Sequence, residues 1–362
     1  MIDGIHMHIE KYTEKFSVLS LSVFICLVTI FFSMPPFDSV IVDSTWNVIF
    51  KQIKDPFLPI DAPSWSHNSK LTFRLFPVLL GKALFLNKTG FLVLLYFVGF
   101  LIIYFTFKFL NLKLGDKYKA FLLTLAFSFV YAGKMSFLEF RGIFDGIALL
   151  LLIFSVYSKN VFVIYFSILF SSFTDERALI TSGFIFIYYF SVNTSFKNKP
   201  LISIVLSWLS YFVLRYVLVA FFGFKTSIGG ISMSILALNF EFFPLSIYSS
   251  MEGFWFLVIL SFSYMYSQNR ISLYMNILMI LLFLIPCYLV IDVSRSLSYL
   301  TILIFTLIAY IKNQSLVVLS KRNCSIILIL SLFFPTYIVG GDHITWVKPI
   351  LLEYLFRFFT NS

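Results

Sequence analysis

Three consecutive charged residues, Asp175-Glu176-Arg177, interrupt an apolar stretch running from about Val161 to Val192. Charge at membrane depth costs roughly 2.5–3.5 kcal/mol per residue on insertion scales, so such residues usually line a protein or water cavity and mark function. Carboxylates act as bases or metal ligands, and the planar guanidinium fork matches phosphate. The combination suits a substrate with hydroxyls to deprotonate and phosphate to hold. A helix cap is the alternative, with Thr174 or Asp175 at the N-cap and Glu176 favouring the helix dipole; a cap can also be a site.

Other charges sit in similar surroundings. Glu139, Arg141 and Asp145 form a second cluster, with Arg141 and Asp145 four apart on one helical face, where an internal ion pair at a helix start accounts for them equally well. Asp292 and Arg295 lie in a short loop, and Arg215 sits inside an apolar run where it must snorkel or find a partner. Asp38 and Asp43 follow the first apolar helix. His67 and His343 are lone histidines without metal-site spacing. There is no Ser-His-Asp order, phosphate-cradling Gly-rich loop or Walker motif, which argues against soluble nucleotide-driven chemistry. Cys26, Cys287 and Cys324 lie in or beside apolar runs without CxxC spacing, as buried small residues do.

The elements that must position these residues are membrane helices. The 362 residues are 60% hydrophobic and 12% charged, where soluble domains carry about 25% charge. Apolar runs of helical length predict an all-α polytopic protein of about 11 transmembrane helices in a single domain over 1–362. The expected spans are about Ser17–Met34, Thr89–Leu110, Ala120–Phe137, a run ending at Tyr157, Val161–Phe173, Ala178–Val192, Leu201–Phe224, Phe243–Tyr266, Ile271–Ile291, Leu297–Ile311 and Ser325–Val339. The first is read as a retained span rather than a signal peptide. Residues 35–88 form a long loop with an amphipathic interfacial helix over Leu71–Lys82, and 340–362 an amphipathic tail.

Two of these runs hold only about 13 apolar residues, short of the ~20 that cross a bilayer, which recesses Arg141, Asp145, Asp175, Glu176 and Arg177 below the surface. With the N-terminus cytoplasmic, span parity brings those residues, Asp38, Asp43, Asp292 and Arg295 to one extracytoplasmic face. The net charge of +10 follows the positive-inside rule rather than nucleic-acid binding.

The acidic residues soon after span 1, the interfacial helix around Arg74, and the mixed charges on later loops of the same face give an arrangement that resembles the GT-C superfamily of integral membrane glycosyltransferases. Phe140-Arg141-Gly142-Ile143-Phe144-Asp145-Gly146 and Thr174-Asp175-Glu176-Arg177 also resemble stretches of membrane proteins from bacterial polysaccharide clusters. The resemblance implies a hexosyltransferase of the bacterial plasma membrane. It would move a sugar from a polyprenyl-phosphate-linked donor to a glycan or lipid-linked acceptor. Asp43, or Asp38, would be the catalytic base; the two lie five apart, which leaves the assignment open. Arg177, Arg295 and Arg141 would hold the lipid phosphate, with Asp145 beside them. Asp175 and Glu176 would orient the acceptor or bind a divalent cation. A Wzy-type polysaccharide polymerase is the nearest rival, although such proteins carry their large loop late in the chain. A lipid-linked glycan flippase or secondary transporter is the rival from another class, expected to show mid-span charges and broken helices.

Overall fold

A computed structural model describes residues 2–35, 43–60, 71–139, 141–192, 198–225, 233–312, 319–332, 337–340, 343–346 and 349–360. Helix α1 (Ile2–Lys15) meets α2 (Val18–Ser33) at a bend of 119°, and Ser17 caps α2 by accepting from the Ser20 N–H at 3.0 Å. The long first loop carries α3 (Asp43–Lys54) and α4 (Leu75–Ala83). Then follow α5 (Lys88–Leu114), α6 (Lys117–Phe129), α7 (Tyr131–Leu138), α8 (Asp145–Tyr157), α9 (Val161–Ser172), α10 (Glu176–Val192) and α11 (Lys199–Phe222). The last third comprises α12 (Met233–Glu241), α13 (Phe243–Met251), α14 (Phe254–Gln268), α15 (Arg270–Tyr288), α16 (Val293–Leu297), α17 (Thr301–Lys312), α18 (Lys321–Leu332), strands β1 (Tyr337–Gly340) and β2 (His343–Trp346), and α19 (Ile350–Thr360).

Among the described residues four helical segments are long and apolar enough to cross a membrane: α5, α11, α15 and the run Val293–Ile311. The count reaches seven if each of three bent pairs, α1/α2, α6/α7 and α13/α14, is one span. Helices α8 and α9, with 13 and 12 residues, reach only about 20 Å at 1.5 Å per residue. The helix expected over Ser325–Val339 ends instead at Leu332, and Tyr337–Gly340 pairs antiparallel with β2, Tyr337 opposite Trp346 and Gly340 opposite His343. Pro335 cannot extend a helix from within, and Tyr-Ile-Val suits a pleated strand.

The centre of the molecule is Val293–Ile311, wholly buried among α5, α8, α10 and α14. Arg295 lies in its first turn, so one functional side chain is built into the core segment. At the periphery, α11 leaves Phe212, Val213, Tyr216 and Phe221 exposed, an apolar surface of the kind acyl chains cover.

Candidate functional site

The turn between α9 and α10 brings Asp175 to the head of α10, where its Oδ1 accepts from the Arg177 backbone N–H at 3.0 Å, the capping role open to it by sequence. The same carboxylate takes a guanidinium fork: Arg177 Nε donates to Oδ1 at 2.7 Å and Nη2 to Oδ2 at 2.6 Å. Cap and ion pair therefore coincide in one side chain that is 1% exposed.

Arg177 is the hub. Its Nη2 also reaches Asp145 Oδ2 at 3.3 Å, its Nη1 donates to Ser296 Oγ at 2.8 Å, and its guanidinium lies 5.3 Å from the Tyr299 ring centroid. Asp145, at the start of α8, is shared with Arg295, whose Nε lies 2.8 Å from Oδ2 at an angle that makes an ion pair rather than a hydrogen bond. Arg295 Nη1 donates outward to the half-exposed Asp292 at 3.0 Å.

Arg74, just before α4, completes the cluster from the first loop. Its Nη2 lies 3.0 Å from Asp175 Oδ2, while its Nη1 is buried without a hydrogen-bond partner. The Phe76 N–H donates to the Phe173 carbonyl at 3.2 Å and fixes this segment on the turn that carries Asp175. Three guanidiniums meet two buried carboxylates, Asp145 and Asp175, and the half-exposed Asp292 on Arg295 balances the third.

Not every residue singled out by sequence joins this cluster. Glu176 turns outward, where Arg215 Nη1 holds it at 2.5 Å, donates to the Tyr211 hydroxyl at 2.6 Å and stacks over Phe73 at 4.0 Å. Arg141 is half exposed and donates to Glu139 Oε2 at 3.4 Å, while Glu139 Oε1 accepts from the Tyr131 hydroxyl. The expected Arg141–Asp145 helical pair is not formed, because α8 begins only at Asp145 and Gly142 is left-handed at φ +76°. Asp38 lies outside the described residues, and so does the side chain of Asp43, the first residue of α3. His67 also lies outside them, as does the His343 side chain.

Helix α3 is nonetheless firmly placed. Trp46, 1% exposed, lies 5.8 Å from Phe91 and 6.1 Å from Phe144 between ring centroids, and Gln52 Nε2 donates to the Thr72 carbonyl at 2.9 Å. A narrow cleft with room for about one water molecule lies here, lined by Ile49 and Gln52 of α3, Arg74, Val78, Gly142 and Phe144. A Cβ on Gly142 would meet Ile49 Cδ1 at 2.5 Å in a backbone conformation L-residues rarely adopt. Gly142→Ala is expected to cost about 1–2 kcal/mol, read as a lower thermal midpoint with the wild-type helix content retained.

Arg74, Ser296 and Tyr299 are site residues that sequence reasoning did not select. Arg74 is likewise a charge within an apolar run, but its spacing from Lys82 reads as an interfacial helix. Only Lys82 is exposed, donating to the Lys54 carbonyl at 3.3 Å. Among the described residues no three of His, Cys, Asp and Glu converge as a metal-binding group. Asp175 and Glu176, expected as possible cation ligands, turn apart, and each is engaged by arginine, so this donor set does not fit a divalent cation. No family model, curated protein or solved structure matches the chain.

Proposed function

We propose that the chain is an integral membrane glycosyltransferase of the GT-C kind. It moves a sugar from a polyprenyl-phosphate-linked donor to a glycan or lipid-linked acceptor at the extracytoplasmic face of a bacterial plasma membrane. In this reading the chain crosses the bilayer about eleven times with its N-terminus in the cytoplasm, and the short α8 and α9 draw their polar ends inward.

The observation that carries the reading is the cleft shared by Arg74 and α3. One wall belongs to an arginine bonded into the buried arginine–carboxylate cluster; another belongs to the helix that Asp43 opens. A phosphate held by arginine forks beside a base is what transfer to a hydroxyl requires. The acceptor hydroxyl gives its proton to the Asp43 carboxylate as its oxygen bonds to the anomeric carbon. The bond from that carbon to the phosphate oxygen breaks, and its electron pair leaves with the polyprenyl phosphate. Arg74, with one unpartnered nitrogen, meets the charge that develops on the phosphate. Arg177 and Arg295 fix Asp145 and Asp175, and so hold Arg74 in place.

The test is transfer of labelled sugar from polyprenyl-phosphate donors by the purified protein in liposomes. Asp43→Asn is expected to reduce transfer at least about 100-fold. Undiminished transfer by that variant would remove the base, and no transfer by the wild type from any donor would turn the assignment to transport. Transport is the second reading, favoured by the three bent helix pairs, since transporters build their sites at helix breaks.

A further inference from the structure

Helix α1 crosses the direction of the helix that follows it. Its Ile9–Lys15 part is bent by 119° from α2, closer to perpendicular than to parallel. Helix α2 is apolar along its length and leaves Leu19, Val23, Phe24 and Leu27 exposed, side chains of the kind that acyl chains cover. With α2 along the bilayer normal, α1 lies near the plane of the membrane surface.

The two sides of α1 differ in charge. Glu10 faces the bundle, where Lys321 Nζ reaches both of its carboxylate oxygens at 2.6 Å, and the Glu14 carbonyl accepts from Lys117 Nζ at 3.2 Å. Lys117 and Lys321 are the first residues of α6 and α18, so α1 is tied across two helix ends. Thr13, on the same side, is 3% exposed and donates to the Glu10 carbonyl at 2.8 Å. At about 100° per residue, Lys11, Tyr12 and Lys15 fall on the half of the helix opposite Glu10 and Thr13. All three are exposed, and Ile9 and Phe16 are exposed along the edge beside Tyr12. Lys15 Nζ lies 5.7 Å from the Tyr12 ring centroid, so an ammonium and an aromatic face are presented together.

Cations beside a tyrosine and a phenylalanine suit a headgroup layer: phosphates meet the lysines, and the rings settle at the edge of the acyl region. A protein partner at a standard interface takes about 20–30 residues a side, far more than these two turns of helix present. We propose that α1 is an interfacial helix that binds anionic phospholipid, with Ile9, Tyr12 and Phe16 seated in the headgroup layer and Lys11 and Lys15 on the lipid phosphates. Because α1 is tied to the first residues of α6 and α18, the bound lipid sets the depth at which those helices start. The proposal rests on α2 being a membrane span and is independent of the sugar-transfer chemistry.

Fluorescent labelling of the full chain in liposomes tests it. The three native cysteines are buried, so a cysteine introduced at an exposed position takes an environment-sensitive nitrobenzoxadiazole label selectively. Leu27→Cys reports on α2, and Tyr12→Cys and Phe16→Cys report on α1. In phosphatidylcholine liposomes containing phosphatidylglycerol, labels at 12 and 16 are expected to be blue-shifted and quenched by lipids spin-labelled at the headgroup, and a label at 27 by lipids spin-labelled deep in the acyl chain. Quenching at 12 should fall at least about twofold in phosphatidylcholine alone, in about 1 M salt, or when Lys11→Gln and Lys15→Gln are combined. A label at 27 that deep quenchers do not reach would remove the membrane span and the proposal with it. Quenching at 27 with water-like emission at 12 and 16 would overturn the proposal alone. So would quenching at 12 that ignores both phosphatidylglycerol and the two lysines, or the same blue shift in detergent without phospholipid, which would mean that protein covers this side of α1.

Discussion

Asp175→Ala is expected to destabilise the protein by about 3–5 kcal/mol, whereas Glu176→Ala, one residue along, should change stability by no more than about 1 kcal/mol. The two carboxylates have opposite surroundings. Asp175 accepts a guanidinium fork from Arg177, an ion pair from Arg74 and the backbone N–H that starts α10, with its side chain 2% exposed. Removing it leaves the guanidiniums of Arg74 and Arg177 without their shared carboxylate in a mostly buried setting. Glu176 is 53% exposed, so losing its pair with Arg215 strands nothing in a dry interior. Unfolding midpoints in detergent measure both. Adding Arg74→Met to Asp175→Ala should recover part of the loss by removing a stranded charge. No recovery would mean that the cap, not the charge balance, is what Asp175 supplies.

The contrast within this tripeptide marks what sequence can and cannot resolve. An apolar run broken by charge is a strong signal because desolvation is expensive at any geometry, so Asp145, Asp175, Arg177 and Arg295 were all visible in the sequence. Which of them meet depends on where helices begin, and that was not visible: Arg141 loses Asp145 because Gly142 turns the chain before α8 starts. Arg74 was visible as a charge but not as a partner, since docking α4 on the α9–α10 turn is a tertiary event. Lys134 and Glu252 carried the same lone-charge signal, each beside a glycine, inside the runs expected as Ala120–Phe137 and Phe243–Tyr266. By composition both runs read as unbroken spans. The bends of 55° and 85° lie at Val130 and at Glu252-Gly253, where no proline announces them.

Trp46→Ala is expected to act on α3 with a cost of about 3–5 kcal/mol, the range for emptying a buried aromatic site. The indole lies 5.9 Å from Phe50, 5.8 Å from Phe91 and 6.1 Å from Phe144 between ring centroids, and so joins α3 to α5 and to the turn before Asp145. Two polar contacts add little to this attachment, Gln52 to the Thr72 carbonyl and Lys82 to the Lys54 carbonyl. Trp46 and Ile49 belong to the same buried core as Val293–Ile311, so the loss should lower the global midpoint as well as open α3 locally, read as faster amide exchange over residues 43–54. The consequence for chemistry follows from the same geometry. Releasing α3 removes Ile49 and Gln52 from the cleft and Asp43 from its place, while Arg74 stays bonded to Asp175. Sugar transfer should therefore fall in kcat with donor KM changed far less, and Trp46→Phe should restore much of both protection and turnover. If exchange over 43–54 rises while kcat holds, the helix that Asp43 opens does not supply the base.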